Sequence, residues 1–205
     1  MTHRLRPLLL ASGSPRRREL LESVLGTIDI QAADIDETPR HGEAAADLVV
    51  RLAVEKAQAV AARHPSRTVV AADTVVVVDE LVLGKPVDRS DAASMLRRLS
   101  GRTHQAITGL AVTADDRIEC ATEVTDVVFR PIGDADIEWY LASGEADDKA
   151  GAYGIQGRAA LFVERIAGSY QNVVGLPLAA VDAVMRSMGF ALLEFEQPAR
   201  SARVD

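Results

Sequence analysis

The chain has 205 residues, 48% hydrophobic and 26% charged, enough for one domain to bury about 70% of its unfolded surface without a staple. A formal net charge of −7 argues against non-specific binding to a nucleic acid polymer, yet leaves room for a nucleotide in a local basic pocket. Cys120 is the only cysteine, which excludes an internal disulfide, and no apolar run approaches a membrane span. The opening Met1–Pro7 and the three leucines after it are too short for a signal peptide, so the cytoplasm is the expected compartment.

Taken in chain order, Leu8 to Ser12 reads as a buried strand. Ser14-Pro15 reads as an N-cap with proline at the first helical position, and Gly26 ends that helix. Thr27 to Ala33 is predicted as a second strand, Asp34 to Gly42 as turn, and Glu43 to Arg63 as a long helix stopped before Pro65. Thr68 to Val78 is β-branched and apolar, the signature of a central strand. A helix from Asp91 to Leu99 follows, then two paired strands, Thr103 to Thr113 and Ile118 to Phe129. Asp134 to Ser143 reads as helix, Ala159 to Ile166 as strand, Leu176 to Met188 as helix and Phe190 to Phe195 as a last strand. The tail after Gln197 is expected to fray. The pattern predicts an α/β protein with a mixed central sheet and helices on both faces, one domain over 1–205 with its core at about 7–196.

Four segments carry possible chemistry. Ala11-Ser-Gly-Ser-Pro-Arg-Arg17 lies where a strand enters a helix, where free N–H groups and the helix dipole favour an anion. Arg16 and Arg17 are unfavourable for the helix itself, a conflict that a bound polyphosphate removes; a capped surface helix with solvated arginines is the bland alternative. Asp73 interrupts an apolar strand, so it is either paired, by a metal, a lysine or hydrogen bonds, or turned to solvent by a kink. Thr74 follows it and by alternation points the other way, unless a bulge intervenes. Lys56, Lys85 and Lys149 stand in defined contexts, although a lysine is by default a surface residue; Gly84 and Pro86 single out Lys85. Gly151 to Gly157, Gly168-Ser-Tyr170 and Gly175-Leu-Pro177 are glycine-rich loops that either approach a ligand, with Gln156 suited to a base edge, or are plain tight turns. No Walker A loop or dinucleotide GxGxxG is present.

Together these segments resemble the Maf family of nucleotide pyrophosphatases, also called septum formation inhibitors. The matching motifs are Leu10-Ala-Ser-Gly-Ser-Pro-Arg-Arg17, Asp36-Glu37-Thr38, Arg51-Leu-Ala-x-Glu-Lys56-Ala57, Ala72-Asp-Thr-Val75, Leu83-Gly-Lys-Pro86, Leu99-Ser-Gly-Arg-Thr-His104, Asp148 to Gly157, Gly168-Ser-Tyr170 and Val174-Gly-Leu-Pro-Leu178. The resemblance implies a two-lobed fold with a cleft, similar in shape to the inosine triphosphate pyrophosphatases. It implies hydrolysis of a nucleoside triphosphate to monophosphate and pyrophosphate, with Asp73 as catalytic base. Ser12, Arg16, Lys56, Lys85 and Lys149 match positions around the phosphates, and Glu37 and Asp73 match carboxylates near a Mg²⁺ or Mn²⁺ ion. Arg17, Thr74 and Gln156 match positions that separate the branches of the family, and the dTTP and UTP branch is the one this chain resembles. A homodimer is expected from the family. Two rival readings are a nucleotide-binding regulator of cell division without important catalysis, and an enzyme for modified nucleotides.

Overall fold

A computed structural model describes residues 7–196. The sequence expectations for the segments before Pro7 and after Gln197 lie outside the described residues. The sheet runs β2-β1-β3-β5-β6-β7, with a short β4 also pairing with β3. β1 (Leu8–Leu10) is parallel to both β2 (Asp29–Ile30) and β3 (Thr68–Val78). β4 (Leu81–Leu83), β5 (Thr103–Ala114), β6 (Arg117–Phe129) and β7 (Val163–Ala167) extend it antiparallel, so the sheet is mixed as expected.

Alternation along β3 distributes the core. Val69, Ala71 and Val75 pack against α2 (Ala45–Ala61), whose buried stripe runs from Leu48 to Val60. Val70 and Ala72 face the opposite way, into a cluster shared with α1 (Pro15–Leu25) and α6 (Leu178–Ser187). Val76 and Val78 enter a second cluster on that face, built with α3 (Arg89–Leu99) and α4 (Asp134–Leu141). Helices therefore cover both faces, and each face carries two separate apolar clusters.

Two register details position the cleft. β1 pairs with β3 only as far as Val70, and β4 begins at Val76, while β5 occupies the opposite edge throughout. Ala71 to Val75 thus form a stretch of β3 whose outer edge has no strand partner. This is the open crevice beyond a strand's carboxyl end where α/β proteins hold ligands. The second detail is Gly109, directly opposite Asp73 on β5. A Cβ built there would lie 2.3 Å from the Val49 carbonyl carbon, so only glycine admits the backbone of α2 this close.

Several elements differ from the sequence expectation. The strand predicted over Thr27 to Ala33 is reduced to two residues. The strand predicted over Ala159 to Ile166 begins instead as a 3₁₀ turn, Gly157–Leu161, before β7. Phe190 to Phe195 is not a strand. Glu194 accepts from Ala191 N–H at 2.7 Å and Asp182 accepts from Leu192 N–H at 2.8 Å, so the chain coils into a 3₁₀ turn, Leu192–Phe195. The short helix α5 (Tyr170–Val174), capped by Ser169, and strand β4 were not anticipated. The β3–β4 hairpin turns at Asp79 and Glu80, both with positive φ, without the glycine that usually announces such a turn.

Candidate active site

The unpaired edge of β3 opens into a cleft of about 750 Å³, a size usual for small-ligand sites. Five cationic side chains, Arg16, Arg17, Lys56, Lys85 and Lys149, line it against three carboxylates, Glu37, Asp73 and Asp148. A chain of net charge −7 therefore presents a locally cationic cleft, suited to a polyanion.

At its floor, Lys56 Nζ lies 2.6 Å from Asp73 Oδ1 and 2.7 Å from Glu37 Oε1. Lys56 and Asp73 are each 8% exposed, so the strand carboxylate is paired, not solvent-facing. Glu37 is set by the next layer. Arg51 on α2 grips Glu43 through two nitrogens, at 2.6 and 2.8 Å, and donates to Thr38 O. Asp36 Oδ1 closes the same loop on Thr38 N–H at 2.9 Å. Burial works to raise the Glu37 pKa, but the Lys56 hydrogen bond and the charges of Lys56, Lys85 and Arg17 outweigh it. Glu37 is held below the ordinary carboxylate range.

Ser14 caps α1, and the buried Ser12 hydroxyl oxygen accepts from Ser14 N–H at 3.1 Å. The Ser12-to-Arg16 turn lines the cleft. Arg16 reaches Asp148 at 3.4 Å, and Lys149 also pairs with Asp148. Asp148 was missed as a site residue, although its neighbour Lys149 was singled out.

Arg17 lines the cleft with its guanidinium tied to the protein itself. Its guanidinium donates to Gly175 O and Ala72 O, both at 2.8 Å, to Thr74 Oγ1 at 2.9 Å and to Ser12 Oγ at 3.4 Å. It thereby fills the place of the missing strand partner beside β3 and ties α1, β3 and the end of α5 together. Enclosure lowers its pKa, with Asp73 opposing.

Thr74 lines the cleft with Asp73 although the two point to opposite faces of the sheet. The expected bulge is absent: register from Val69 to Val77 is continuous with β5. The open edge makes a bulge unnecessary, because both faces of β3 are reached from the gap. Lys85 and Gln156 are exposed on the rim. The glycine-rich loop behind Gln156 is anchored. Gly151 N–H donates to Gly84 O at 3.0 Å, Gly154 N–H to Tyr140 Oη at 3.3 Å, and Tyr153 Oη sits 2.8 Å from the buried His104 Nε2.

Among the described residues no group of three or more His, Cys, Asp or Glu side chains is arranged to hold a metal. Nor is any helix among them long and apolar enough to cross a membrane.

The fold and cleft define an α/β protein that can hold a polyanion against a lysine-paired carboxylate. The chain belongs to the Maf family: the family described as Maf-like protein matches residues 7–188. A dTTP/UTP pyrophosphatase of Geobacter metallireducens is 53% identical over 184 residues, 89% of this chain and 96% of the relative. A dTTP/UTP pyrophosphatase of Symbiobacterium thermophilum is 49% identical over 185 residues, 90% of this chain and 95% of the relative. Among solved structures, a HAM1 protein from Coxiella burnetii is similar at 15% identity with a TM-score of 0.48, covering 89% of this chain and 100% of that one.

Proposed function

We propose that this chain is a nucleoside triphosphate pyrophosphatase that hydrolyses dTTP and UTP to the monophosphate and pyrophosphate. The observation that carries the reading is the buried Lys56 joined to Asp73 and Glu37 at the floor of a cationic cleft. The names of relatives about half identical over nine-tenths of the chain supply the substrate class. Asp73 takes a proton from a water aligned with the α-phosphorus. Arg16, Lys56, Lys85 and Lys149 hold the polyphosphate and stabilise the charge that grows on departing pyrophosphate. Ser12 and the start of α1 add neutral donors, and Gln156 reads the base from the rim.

The donor set fits a hard divalent cation. Glu37 and Asp73 are oxygen donors brought to one place by the Lys56 ammonium that each of them bonds, and Mg²⁺ typically takes one or two carboxylates with the remainder from substrate phosphates and water. Glu37 and Asp73 would hold Mg²⁺ or Mn²⁺. When bound, such an ion offsets phosphate charge and makes water more acidic.

Ion-exchange chromatography of an early time point with UTP tests the reading. UMP and pyrophosphate are the expected products. UDP and phosphate would show a different bond is cut, and binding without turnover would favour the regulator.

A further inference from the structure

The two apolar clusters on the α1/α6 face meet at a polar seam below the cleft. Ala72 belongs to one cluster and Val76 to the other, with Thr74 between them. Directly opposite Thr74 on β5 stands Thr108, fully buried, and the two hydroxyl oxygens are 2.9 Å apart. Behind Thr108 lies the backbone carbonyl of Asn172, 3.4 Å from its hydroxyl. That carbonyl is held in place because Asn172, also fully buried, anchors its side chain on Ala106 O, Glu123 O and Thr125 Oγ1.

Each threonine hydroxyl has one proton to give. The Asn172 carbonyl can only accept, so the Thr108 proton points to it. Thr108 must then accept from Thr74, which directs the Thr74 proton away from the cleft. At the other end, Arg17 Nη2 can only donate, and it occupies one lone pair of Thr74 at 2.9 Å. The chain Arg17 to Thr74 to Thr108 to Asn172 is polarised at both ends, by a pure donor and by a pure acceptor.

We propose that Thr108 is a positioning residue that fixes the proton of Thr74, so that Thr74 meets a substrate only as a hydrogen-bond acceptor. The group that matches is a donor N–H. Uracil and thymine carry one at N3, whereas cytosine presents a bare acceptor nitrogen there. The inference rests on the reading of the cleft as a dTTP and UTP site, and it predicts that cytosine is disfavoured there. It also accounts for a buried hydroxyl at position 108, where valine would fill nearly the same volume without needing partners.

Binding of the non-hydrolysable α,β-imido analogues of UTP and CTP, measured by calorimetry, tests it on wild type, Thr108→Val and Thr108→Ser. Wild type is expected to favour the UTP analogue by roughly tenfold or more, the scale of one mismatched buried hydrogen bond. Thr108→Val frees the Thr74 proton, so the ratio should fall to within about threefold of one, and Thr108→Ser should restore it. If Thr108→Val does not fold, Thr108→Ala is read in the same way. A ratio unchanged in the variant, or equal losses for both analogues, would reduce Thr108 to a packing residue and overturn the proposal, as would a wild type indifferent to the base. Cleavage of UTP is assayed separately. A protein that prefers the uracil analogue but releases no pyrophosphate would refute the enzymatic reading and leave this one standing.

Discussion

Gly109 should be the most sensitive position in the protein that never touches substrate. An ideal Cβ at Gly109 lies 2.3, 2.4 and 2.5 Å from Val49 C, Val49 O and Val50 N, all backbone atoms of α2. Carbon contacts settle near 3.5–4.0 Å, so Gly109→Ala forces α2 outward by roughly 1 Å. Lys56 lies about two turns further along the same helix. Its bonds of 2.6 and 2.7 Å to Asp73 and Glu37 would then stretch past hydrogen-bonding range. Overpacking of this kind costs about 1–3 kcal/mol of stability. A displacement near 1 Å in a catalytic group lowers turnover by about 10²-fold. The assay is pyrophosphate release at saturating UTP, with circular dichroism to confirm the fold and thermal melts for stability. Gly133→Ala serves as control, because nothing lies within 4 Å of a Cβ there. A folded Gly109→Ala protein with kcat within threefold of wild type would show that the approach of α2 does not set the Lys56 geometry.

Further outcomes follow from the same contacts. Asp73→Asn should lower turnover by at least about 10²-fold in a folded protein, measured by pyrophosphate release. Arg51→Lys loses the two-nitrogen grip on Glu43 and the bond to Thr38 O, freeing the Glu37 loop; kcat/KM for UTP should fall by about tenfold while unfolding by urea shifts little. Gln156→Ala should lower kcat/KM for dTTP and UTP more than for purine triphosphates, and equal losses would limit Gln156 to shaping its loop. Burial holds the His104 pKa down at about 4, against an unfolded value near 6.5. The unfolded chain therefore binds a proton that the folded chain refuses. Stability is complete above about pH 6.5 and declines as pH falls towards 4. Between pH 7.5 and 5, urea denaturation should show a loss in wild type about 2 kcal/mol larger than in His104→Gln.

Much of the fold was legible because its signals are local. The Ser14-Pro15 cap, the apolar run of β3 and the two long strands of the β5–β6 hairpin need only neighbouring residues to be read. Phe190 to Phe195 misled because a short apolar run has no period of its own, and two carboxylates, Glu194 within the run and Asp182 on α6, decided its backbone. In the site, the candidate residues from Ser12 to Gln156 line one cleft, while the Leu99–His104 and Gly168–Tyr170 motifs lie outside its lining, and the division of labour was invisible. Arg17 reads as a phosphate ligand in a basic helix start. Only the register of β1 and β4 on β3 reveals the open edge that it fills. The same gap resolves the opposed directions of Asp73 and Thr74. Gly109 and Thr108 carried no signal at all, since their roles arise from which residues stand opposite them across the sheet.

The central claim is that water, activated at Asp73, attacks the α-phosphorus. Hydrolysis of UTP in ¹⁸O-labelled water, followed by mass spectrometry of both products, tests it most directly. The label should appear in UMP and be absent from pyrophosphate. Label in pyrophosphate would place the attack on the β-phosphorus and contradict the account.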